Sequence, residues 1–527
     1  MTINRRQLVQ LGAFGLGALS IPSIARASFG SGFTHNVASG EPSQNSVLLW
    51  TRFAGGDETK LTAEVSSDMS FTKIVGGGEA VASAMRDHTA KITVTGLAPN
   101  SWYFYRFVAP DGAISPIGRT RTLPAGGNAP FKLGVFSCSN MPFGYFNAYG
   151  HAAAQGDFDL AVHLGDYFYE YQRGSYPSEK AALPGRIIRP AGETIALADY
   201  RLRYGSYRLD ADLQRLHQLY PMIAMWDDHE FANDAYKDGA QNHGDDEGNW
   251  ALRKAAAEKA WREWMPVRDL DADGKRWSRY EIGELATIHM TESRIGARSK
   301  QFSLASVLKG ERDPNEPSRS MLGAKQENWL ADGFSASKGK WNIWAQQTIV
   351  GSTRQPDEAA SWLDPKSPAF LKQRIKIGAM AAKADLPTNM DMWDGYPAAR
   401  ARALSAAQNA NADLVVLTGD SHNAWAFNLD NDGQPAGVEL AGQSVTSPGF
   451  EYYLRGNSPA DIAKSMVAKN DQLAWMDTSQ RGYMTVTMTP DEVTGDWHFM
   501  RDIRTRNTAL AGSKRMTVKK GARIFSK

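Results

Sequence analysis

The sequence predicts an α+β protein with two domains of unequal size, on three observations. Residues 28–122 hold short runs of alternating apolar and polar residues separated by turn signals, which is typical of a small β-sandwich. Over residues 131–527, short apolar runs alternate with stretches of helical periodicity. Residues 123–130 contain two prolines and two glycines and are predicted to link the domains. With 527 residues, 42% of them hydrophobic, the chain can bury more than one core.

The first 27 residues are predicted to be a twin-arginine export signal and not part of the fold. Arg5 and Arg6 precede an apolar, glycine-rich run over 8–24, and Ala25 and Ala27 suit a signal peptidase that cuts after Ala27. A permanent membrane anchor is the less favoured interpretation, because the run is short and interrupted by glycines. The export machinery is then a partner, and we expect a periplasmic or secreted protein with no stable membrane insertion after cleavage.

Charge and cysteine content narrow the class of protein further. The net charge is +2 with an isoelectric point near 8.3, so bulk electrostatics do not indicate a nucleic-acid partner. Cys138 is the single cysteine, which excludes an internal disulfide even in an exported protein. On composition alone we interpret Cys138 as a small buried apolar residue, with a metal ligand as the alternative.

Strands dominate the first domain, and strands and helices share the second. In the first domain the pattern predicts strands over 46–52, 61–65, 90–94 and 102–107. For the second domain the pattern predicts strands over 131–137, 161–165, 222–226, 341–350 and 412–419, and helices over 146–155, 198–219, 249–265 and 399–410. The basic segment 513–527 at the end of this domain is interpreted as a solvated tail.

Four of these apolar strands end in residue types that bind metals. One aspartate or histidine after a strand is more often a turn former or a helix cap. Turn chemistry, however, does not require a thiol, a phenol and an imidazole at four strand ends of one domain, and the combination therefore predicts a metal site. The residues are Cys138 after the first of these strands, Asp166 and Tyr169 after the second, Asp227, Asp228 and His229 after the third, and Asp420 and His422 after the last.

The donor types indicate which metals the site takes. Thiolate and phenolate with carboxylate and imidazole suit ferric iron, and clustered aspartates suit a hard divalent ion such as calcium. A carboxylate such as Asp166 can bridge the two ions. A bridged pair of ions can acidify a water and hold a phosphoryl oxygen. His229, beside the predicted ligand Asp228, can hydrogen-bond such a phosphate or protonate the leaving oxygen. His229 and Asp228 are therefore the predicted catalytic residues. A hydrogen-bonded core histidine is the alternative interpretation of His229.

Several longer motifs resemble those of PhoD-type alkaline phosphatases, a calcium- and iron-dependent branch of the metallophosphatases. This resemblance implies two packed sheets flanked by helices, an αββα sandwich, preceded by a β-sandwich of the fibronectin-III or immunoglobulin type. The run Gly96–Tyr105 is itself similar to fibronectin-III domains. The motifs are Val37-Ala38-Ser39-Gly40-Glu41-Pro42, Gly165-Asp166-Tyr167-Phe168-Tyr169, Trp226-Asp227-Asp228-His229-Glu230, Gly419-Asp420-Ser421-His422 and Ser444-Val445-Thr446-Ser447-Pro448-Gly449.

The resemblance also implies a role for each candidate residue. Asp227 is implied either as a second calcium ligand or as a group behind the ligands. Thr291-Glu292-Ser293-Arg294 departs from the family pattern, so for Arg294 a phosphate contact and a surface salt bridge both stay open, and Glu292 is a further candidate. The implied ligands of Fe3+ are Cys138, Asp166, Tyr169 and His422. The implied ligands of Ca2+ are Asp228 and Asp420, together with Asp166, which bridges the two ions.

The predicted function is that of an exported, metal-dependent phosphoesterase, an alkaline phosphatase. It is expected to hydrolyse small phosphomonoesters, with diesters as a further substrate class, by in-line attack of a metal-activated water. One alternative is a phosphodiesterase or phospholipase D-like enzyme that uses the same site. The other is an exported binding protein in which the metals are structural.

Overall fold

The structure is a computed structural model that describes residues 32–363 and 369–526, so the predicted export signal lies outside the described residues. The described chain forms three sheets and a set of helices on their outer faces. The strands are β1 Gly32–Gly40, β2 Ser46–Ala54, β3 Glu58–Ser66, β4 Ile74–Ser83, β5 Thr89–Thr95, β6 Trp102–Val108, β7 Gly118–Arg121, β8 Phe131–Phe136, β9 Leu160–His163, β10 Pro221–Ala224, β11 Ser278–Ile282, β12 Ala286–Met290, β13 Trp341–Ala345, β14 Leu414–Thr418, β15 Ala424–Asn431, β16 Gln434–Ala441, β17 Leu473–Asp477, β18 Gly482–Met488, β19 Glu492–Met500 and β20 Leu510–Lys519.

The largest sheet joins the two predicted domains. Its nine strands lie in the order β20-β19-β18-β8-β9-β10-β1-β2-β5. At its centre β8, β9 and β10 run parallel, which places their carboxyl ends side by side. β1 pairs in parallel with β10, Ser39 opposite Pro221, so strands of the N-terminal segment extend the sheet that carries most of the predicted site.

The N-terminal segment also forms the smallest sheet. Its four strands lie in the order β4-β3-β6-β7, and β6 alternates half-buried and buried residues along its length, as expected for a sheet with one face on a core. The shared core of this part of the chain contains side chains from β1, β2 and β5 as well as from β3 and β6. Among them are Val37, Leu49, Val65, Val94 and Tyr105.

The third sheet faces the first across the main core. Its seven strands lie in the order β11-β12-β13-β14-β16-β15-β17, and β12, β13, β14 and β16 are parallel neighbours. Leu133 and Val162 of the nine-stranded sheet belong to one core with Ile343, Val415 and Leu440 of the seven-stranded sheet. A second core lies between this seven-stranded sheet and helices that follow β12 and β13 in the chain.

Ten α-helices complete the described fold, and one of the predicted helices is divided. The pattern over 198–219 predicts a single helix, but the chain breaks at Leu209 because Asp210 begins a new helix, its side chain accepting bonds from the backbone N–H groups of Asp212 and Leu213. The helices are α1 Asn147–Gln155, α2 Leu197–Arg208, α3 Ala211–Leu219, α4 Trp250–Trp264, α5 Leu304–Leu308, α6 Ala324–Ala336, α7 Ala369–Lys383, α8 Pro397–Asn409, α9 Phe450–Tyr453 and α10 Pro459–Lys469.

The interpretation of the C-terminal segment as a solvated tail is wrong. Leu510–Lys519 forms β20, the edge strand of the nine-stranded sheet, and pairs antiparallel with β19. Of the basic residues that indicated a tail, Arg515 is exposed and pairs with Asp496, and Lys514 is half-buried over the ring of Trp475. Charge on such an edge strand discourages pairing with another chain. Over the described ranges, no helix has the length and apolar character needed to cross a membrane.

Candidate functional site

The site forms where the carboxyl ends of the two large sheets meet. β8, β9 and β10 deliver their loops from one sheet, and β12, β13, β14 and β16 deliver theirs from the other. Backbone hydrogen bonds join these loops: Val445 N–H donates to the Ser137 carbonyl at 3.0 Å, and Gly419 N–H donates to the Gln347 carbonyl at 2.8 Å. The fold thereby brings together every site residue predicted from the sequence, namely Cys138, Asp166, Tyr169, Asp227, Asp228, His229, Arg294, Asp420 and His422.

Four of these residues occupy a strained backbone conformation. Cys138, Asp166, Asp420 and His422 have φ values of 60°, 51°, 60° and 64°, in the left-handed region. A residue with a Cβ atom in this region costs about 1 kcal/mol or more, and such strain concentrates at functional sites. Strain at four candidate ligands therefore supports a functional site at these strand ends.

A glycine and a buried glutamate fix the loop that carries Asp166. Gly165 has φ 97°, and a Cβ on it would lie 2.3 Å from the Cβ of Asp227, so only glycine permits these two loops to touch. Glu230 accepts bonds from the backbone N–H groups of Asp166 at 3.0 Å, Tyr167 at 2.7 Å and Asp227 at 2.8 Å. These contacts hold two strand ends at a fixed separation.

Thiol, phenol, imidazole and carboxylate converge on one side of Asp166. Ligand atoms of Cys138, Asp166 and His422 lie within 4.8 Å of one another. The Tyr169 hydroxyl donates to Asp166 Oδ2 at 3.0 Å and lies 3.0 Å from His422 Nε2. His422 Nδ1 donates to the Pro448 carbonyl at 2.9 Å, and its Nε2 is directed at this cluster as a candidate metal ligand.

Carboxylates converge on the other side, around a buried arginine. Ligand atoms of Asp227, Asp228 and Asp420 also lie within 4.8 Å of one another. Arg294 forms a close ion pair with Asp227 through Nε, and its terminal nitrogens lie 2.8 Å from Asp420 and 2.7 Å from Asp391. Its side chain is 0% exposed, so the interpretation of Arg294 as a surface salt bridge is wrong.

The donor set fits bound cations. Asp166 Oδ1 and Asp227 Oδ2 are buried and have no hydrogen-bond partner within the described parts of the chain. Burial, joined by the repulsion of neighbouring carboxylates, raises the pKa of Asp227 well above its ordinary range and the pKa of Asp420 to about 8. Burial and the nearby Asp166 likewise raise the pKa of the Cys138 thiol. A cation would relieve each of these costs, because it favours the charged form of every donor.

These pKa shifts predict that the metal-free protein loses stability as the pH rises. Burial also raises the pKa of Glu230 to about 8. A carboxyl group whose pKa is raised by folding destabilises the fold once the pH exceeds its unfolded value of about 4, and the cost grows until the pH passes the folded value. We therefore expect the melting temperature of chelator-treated protein to fall by several degrees between pH 5 and pH 8, measured by circular dichroism.

Asp420→Asn provides the matched comparison for this pH dependence. The variant removes one of the groups whose pKa is near 8, so its melting temperature should fall less over the same range. A melting temperature that stays constant or rises with pH in the chelated wild type would contradict the interpretation.

His229 stands beside both clusters and is paired with a glutamate. Its Nδ1 donates to Glu170 Oε2 at 2.6 Å, and Glu170 is 0% exposed. Burial opposes the charged imidazole, but the carboxylates of Glu170, Asp166 and Asp228 outweigh it and raise the pKa of His229 well above the ordinary value. Glu170 therefore orients the imidazole and favours its protonated form, which is suited to donate a proton or to bind an anion.

Three carboxylates of the site, those of Glu170, Glu230 and Asp391, were not predicted from the sequence. Glu170 directly follows the Gly165–Tyr169 motif and Glu230 ends the Trp226–Glu230 motif, but no spacing rule indicated a role for them or for Asp391. Glu292, a candidate contributor, is buried and accepts bonds from the backbone N–H groups of Arg294, Ile295 and Gly296 at 2.7 to 2.8 Å. It shapes the turn that presents Arg294.

Comparison with known proteins now identifies the class of this site. The protein described as "Alkaline phosphatase D" of Bacillus subtilis (strain 168) is 32% identical over 544 aligned positions, which cover 97% of this chain and 86% of that protein. The solved "Structure of PhoD" superposes with a TM-score of 0.79 at 30% identity and covers 96% of this chain and 93% of the other. The chain is therefore a phosphatase, and the alternative of a non-catalytic binding protein is set aside.

The family assignment follows from two sequence profiles. The profile described as "PhoD-like phosphatase" matches residues 133–497, and that described as "PhoD-like phosphatase, N-terminal domain" matches residues 20–124. The chain belongs to the PhoD-like phosphatase family, which confirms the resemblance inferred from the motifs.

Proposed function

We propose that this phosphatase is an exported, metal-dependent enzyme that hydrolyses phosphomonoesters at alkaline pH, with diesters as a further substrate class. The observation that carries the proposal is the position of Asp166. It lies between a thiol–phenol–imidazole cluster and a carboxylate cluster, and one of its buried oxygens has no hydrogen-bond partner in the described chain. A carboxylate in this position can bind two unlike ions at once.

The two donor sets support a different ion on each side of Asp166. Cys138, Asp166, Tyr169 and His422 would hold Fe3+, since thiolate, phenolate and imidazole favour iron over a hard divalent ion. Asp166, Asp228 and Asp420, with Asp227 behind or among them, would hold Ca2+. When bound, the ions supply acidification of a water and neutralisation of phosphoryl charge.

The remaining residues have defined tasks in this proposal. His229 holds a proton for the oxygen of the departing alcohol, and Glu170 fixes the tautomer and the orientation of its ring. Arg294 places positive charge beside Asp227, Asp228 and Asp420. Asp228 accepts the backbone N–H of Asp234 at 2.6 Å, which holds the carboxylate in place beside His229.

Fold and location complete the proposal. Two large sheets with a common core and helices outside support an αββα metallophosphatase sandwich, and the core shared by β1 to β6 supports a fibronectin-III-like unit before it. Export by the twin-arginine machinery to the periplasm or beyond is supported by the Arg5-Arg6 signal. A small phosphate ester is the expected substrate, with no nucleic acid as a specific partner.

The proposal is tested with purified enzyme exported through its native pathway. We expect phosphate release from 4-nitrophenyl phosphate to exceed turnover of bis(4-nitrophenyl) phosphate and of a phospholipid, to stop on calcium chelation and to return when calcium is added. Faster turnover of the diester or the phospholipid would instead establish the phosphodiesterase or phospholipase alternative. Elemental analysis of the same preparation tests the two ions directly.

Iron binding by Tyr169 should give the protein a visible colour. A tyrosinate bound to ferric iron absorbs visible light, so the loaded protein should be coloured and Tyr169→Phe should lose the visible band. Tyr176→Phe is the matched control, because the ring of Tyr176 lies 5.6 Å from that of Tyr169 while its hydroxyl is hydrogen-bonded to Tyr453. A band that survives in Tyr169→Phe, or a colourless iron-loaded wild type, would remove Tyr169 from the iron ligands.

A further inference from the structure

The cavity beside the site has two unlike walls. Its volume is about 570 Å³, which exceeds the space that a phosphate group needs. One wall consists of the charged residues already described, among them Asp166, Asp228 and His229. Another part of the lining is apolar and is built from separate segments of the chain. It consists of Trp362, Leu371, Ile375, Leu454 and Met466, which are named the apolar wall below.

We infer that the apolar wall binds the leaving group of the substrate, so that the enzyme prefers phosphoesters of apolar alcohols, alkyl or aryl, over esters of polar polyols. The inference rests on the proposed function, because it assumes that the phosphate binds at the charged wall. It assigns a substrate class to the cavity.

The apolar wall is a firm surface. Leu371 and Ile375 are four residues apart on α7 and lie on one face of that helix. All five residues of the wall are buried and belong to the second core, so their positions are fixed by packing behind the cavity. An apolar surface that faces a water-filled cavity gains free energy when an apolar group covers it.

An aromatic path joins His229 to this wall. The ring of Tyr171 lies 5.4 Å from that of His229 and 5.7 Å from that of Tyr176, and Tyr176 is hydrogen-bonded to Tyr453. Tyrosine rings offer apolar faces and keep their hydroxyls at the edge. Because His229 protonates the departing oxygen in the proposed function, the alcohol begins at His229 and extends along these rings.

The charges around the cavity disfavour a second anionic group on the substrate. Asp234 and Asp391 line the cavity; Asp391 is paired with Arg294 and Arg298, whereas Asp234 has no ion pair within the described chain. Among the described residues that line the cavity, the single lysine or arginine is Arg374, and its side chain is exposed. A diphosphate or a carboxylated alcohol would meet carboxylates there, whereas an uncharged alkyl or aryl group meets no such repulsion.

A homologous series of n-alkyl phosphates tests the inference on the metal-loaded enzyme. Ethyl, butyl and hexyl phosphate have leaving groups of nearly equal basicity, so a difference in kcat/KM reports contact with the cavity. We expect kcat/KM of the wild type to rise at least about tenfold from ethyl to hexyl phosphate. Ile375→Ser should reduce this ratio several-fold. Met380→Ser is the matched control, because Met380 lies on the same helix, is 52% exposed and should leave the ratio unchanged.

A binding measurement separates this inference from the proposed function. Calorimetry compares hexylphosphonate with methylphosphonate, neither of which can be hydrolysed. Hydrolysis of the whole series with no chain-length dependence overturns the apolar wall and leaves the proposed function standing. Tighter binding of hexylphosphonate with no hydrolysis of any ester overturns the proposed function and supports the wall. Equal binding of both phosphonates overturns the wall in either case. If Ile375→Ser does not fold, Ile375→Val and the wild-type series decide the question.

Discussion

Asp166→Asn is expected to lower kcat for a phosphomonoester by at least about a thousandfold and to reduce the content of both metals. The carboxylate stands between two donor clusters, and one of its buried oxygens has no partner in the described structure. An amide in its place provides a single neutral oxygen where two charged ones stood. The measurements are single-turnover phosphate release and elemental analysis of the same folded sample.

Asp394→Asn is the matched control for this substitution. Asp394 is also buried, but its oxygens accept bonds from Ser352, the Thr353 backbone and Arg354, and it does not line the cavity. We expect the folded control protein to keep its full metal content. If Asp166→Asn lost one metal and retained the other in full, Asp166 would be an ordinary ligand and not a bridge.

His229→Gln is expected to lower kcat/KM by about 10²- to 10⁴-fold for an alkyl phosphate and by much less for 4-nitrophenyl phosphate. An alkoxide needs a proton as it departs, whereas 4-nitrophenolate is stable without one. Protonation by His229 therefore predicts a loss that depends on the leaving group. An equal loss on both substrates would show that His229 binds the phosphate and transfers no proton.

Glu170→Gln separates the imidazole from its partner. Glu170 is one of the carboxylates that raise the pKa of His229, so the amide variant should lower that pKa. Since His229 acts in its protonated form, activity is lost as the pH rises through its pKa. The alkaline limb of the pH–rate profile should therefore move to lower pH in Glu170→Gln. A change in folding alone would lower the profile without moving this limb.

Much of the candidate site could be predicted because its residues stand at the ends of recognisable strands. Cys138, Asp166, Asp228 and Asp420 each follow a short apolar run, and the carboxyl ends of neighbouring parallel strands lie at one edge of a sheet. The strands and helices that position them were predicted within a few residues. Local patterns sufficed here, because strand, turn and ligand are adjacent in the chain.

Pairings between distant residues could not be predicted. Glu170 and His229 are 59 residues apart, and Arg294 lies 126 residues from Asp420, so no periodicity relates them. The basic C-terminal segment has the composition of a solvated tail, and it becomes β20 only because the edge of β19 is free to accept it. Each of these features depends on which surfaces the completed fold brings into contact.

The sequence by itself determined the family, the order of strands and helices, and the donor atoms at the strand ends, since these depend on local patterns and motifs. The tertiary structure alone decided that Arg294 is buried among aspartates, that Glu170 orients His229, and that apolar and charged residues from distant segments line one cavity. The physical reason is that burial and charge pairing are properties of the packed chain, in which segments far apart in sequence share one low-dielectric space.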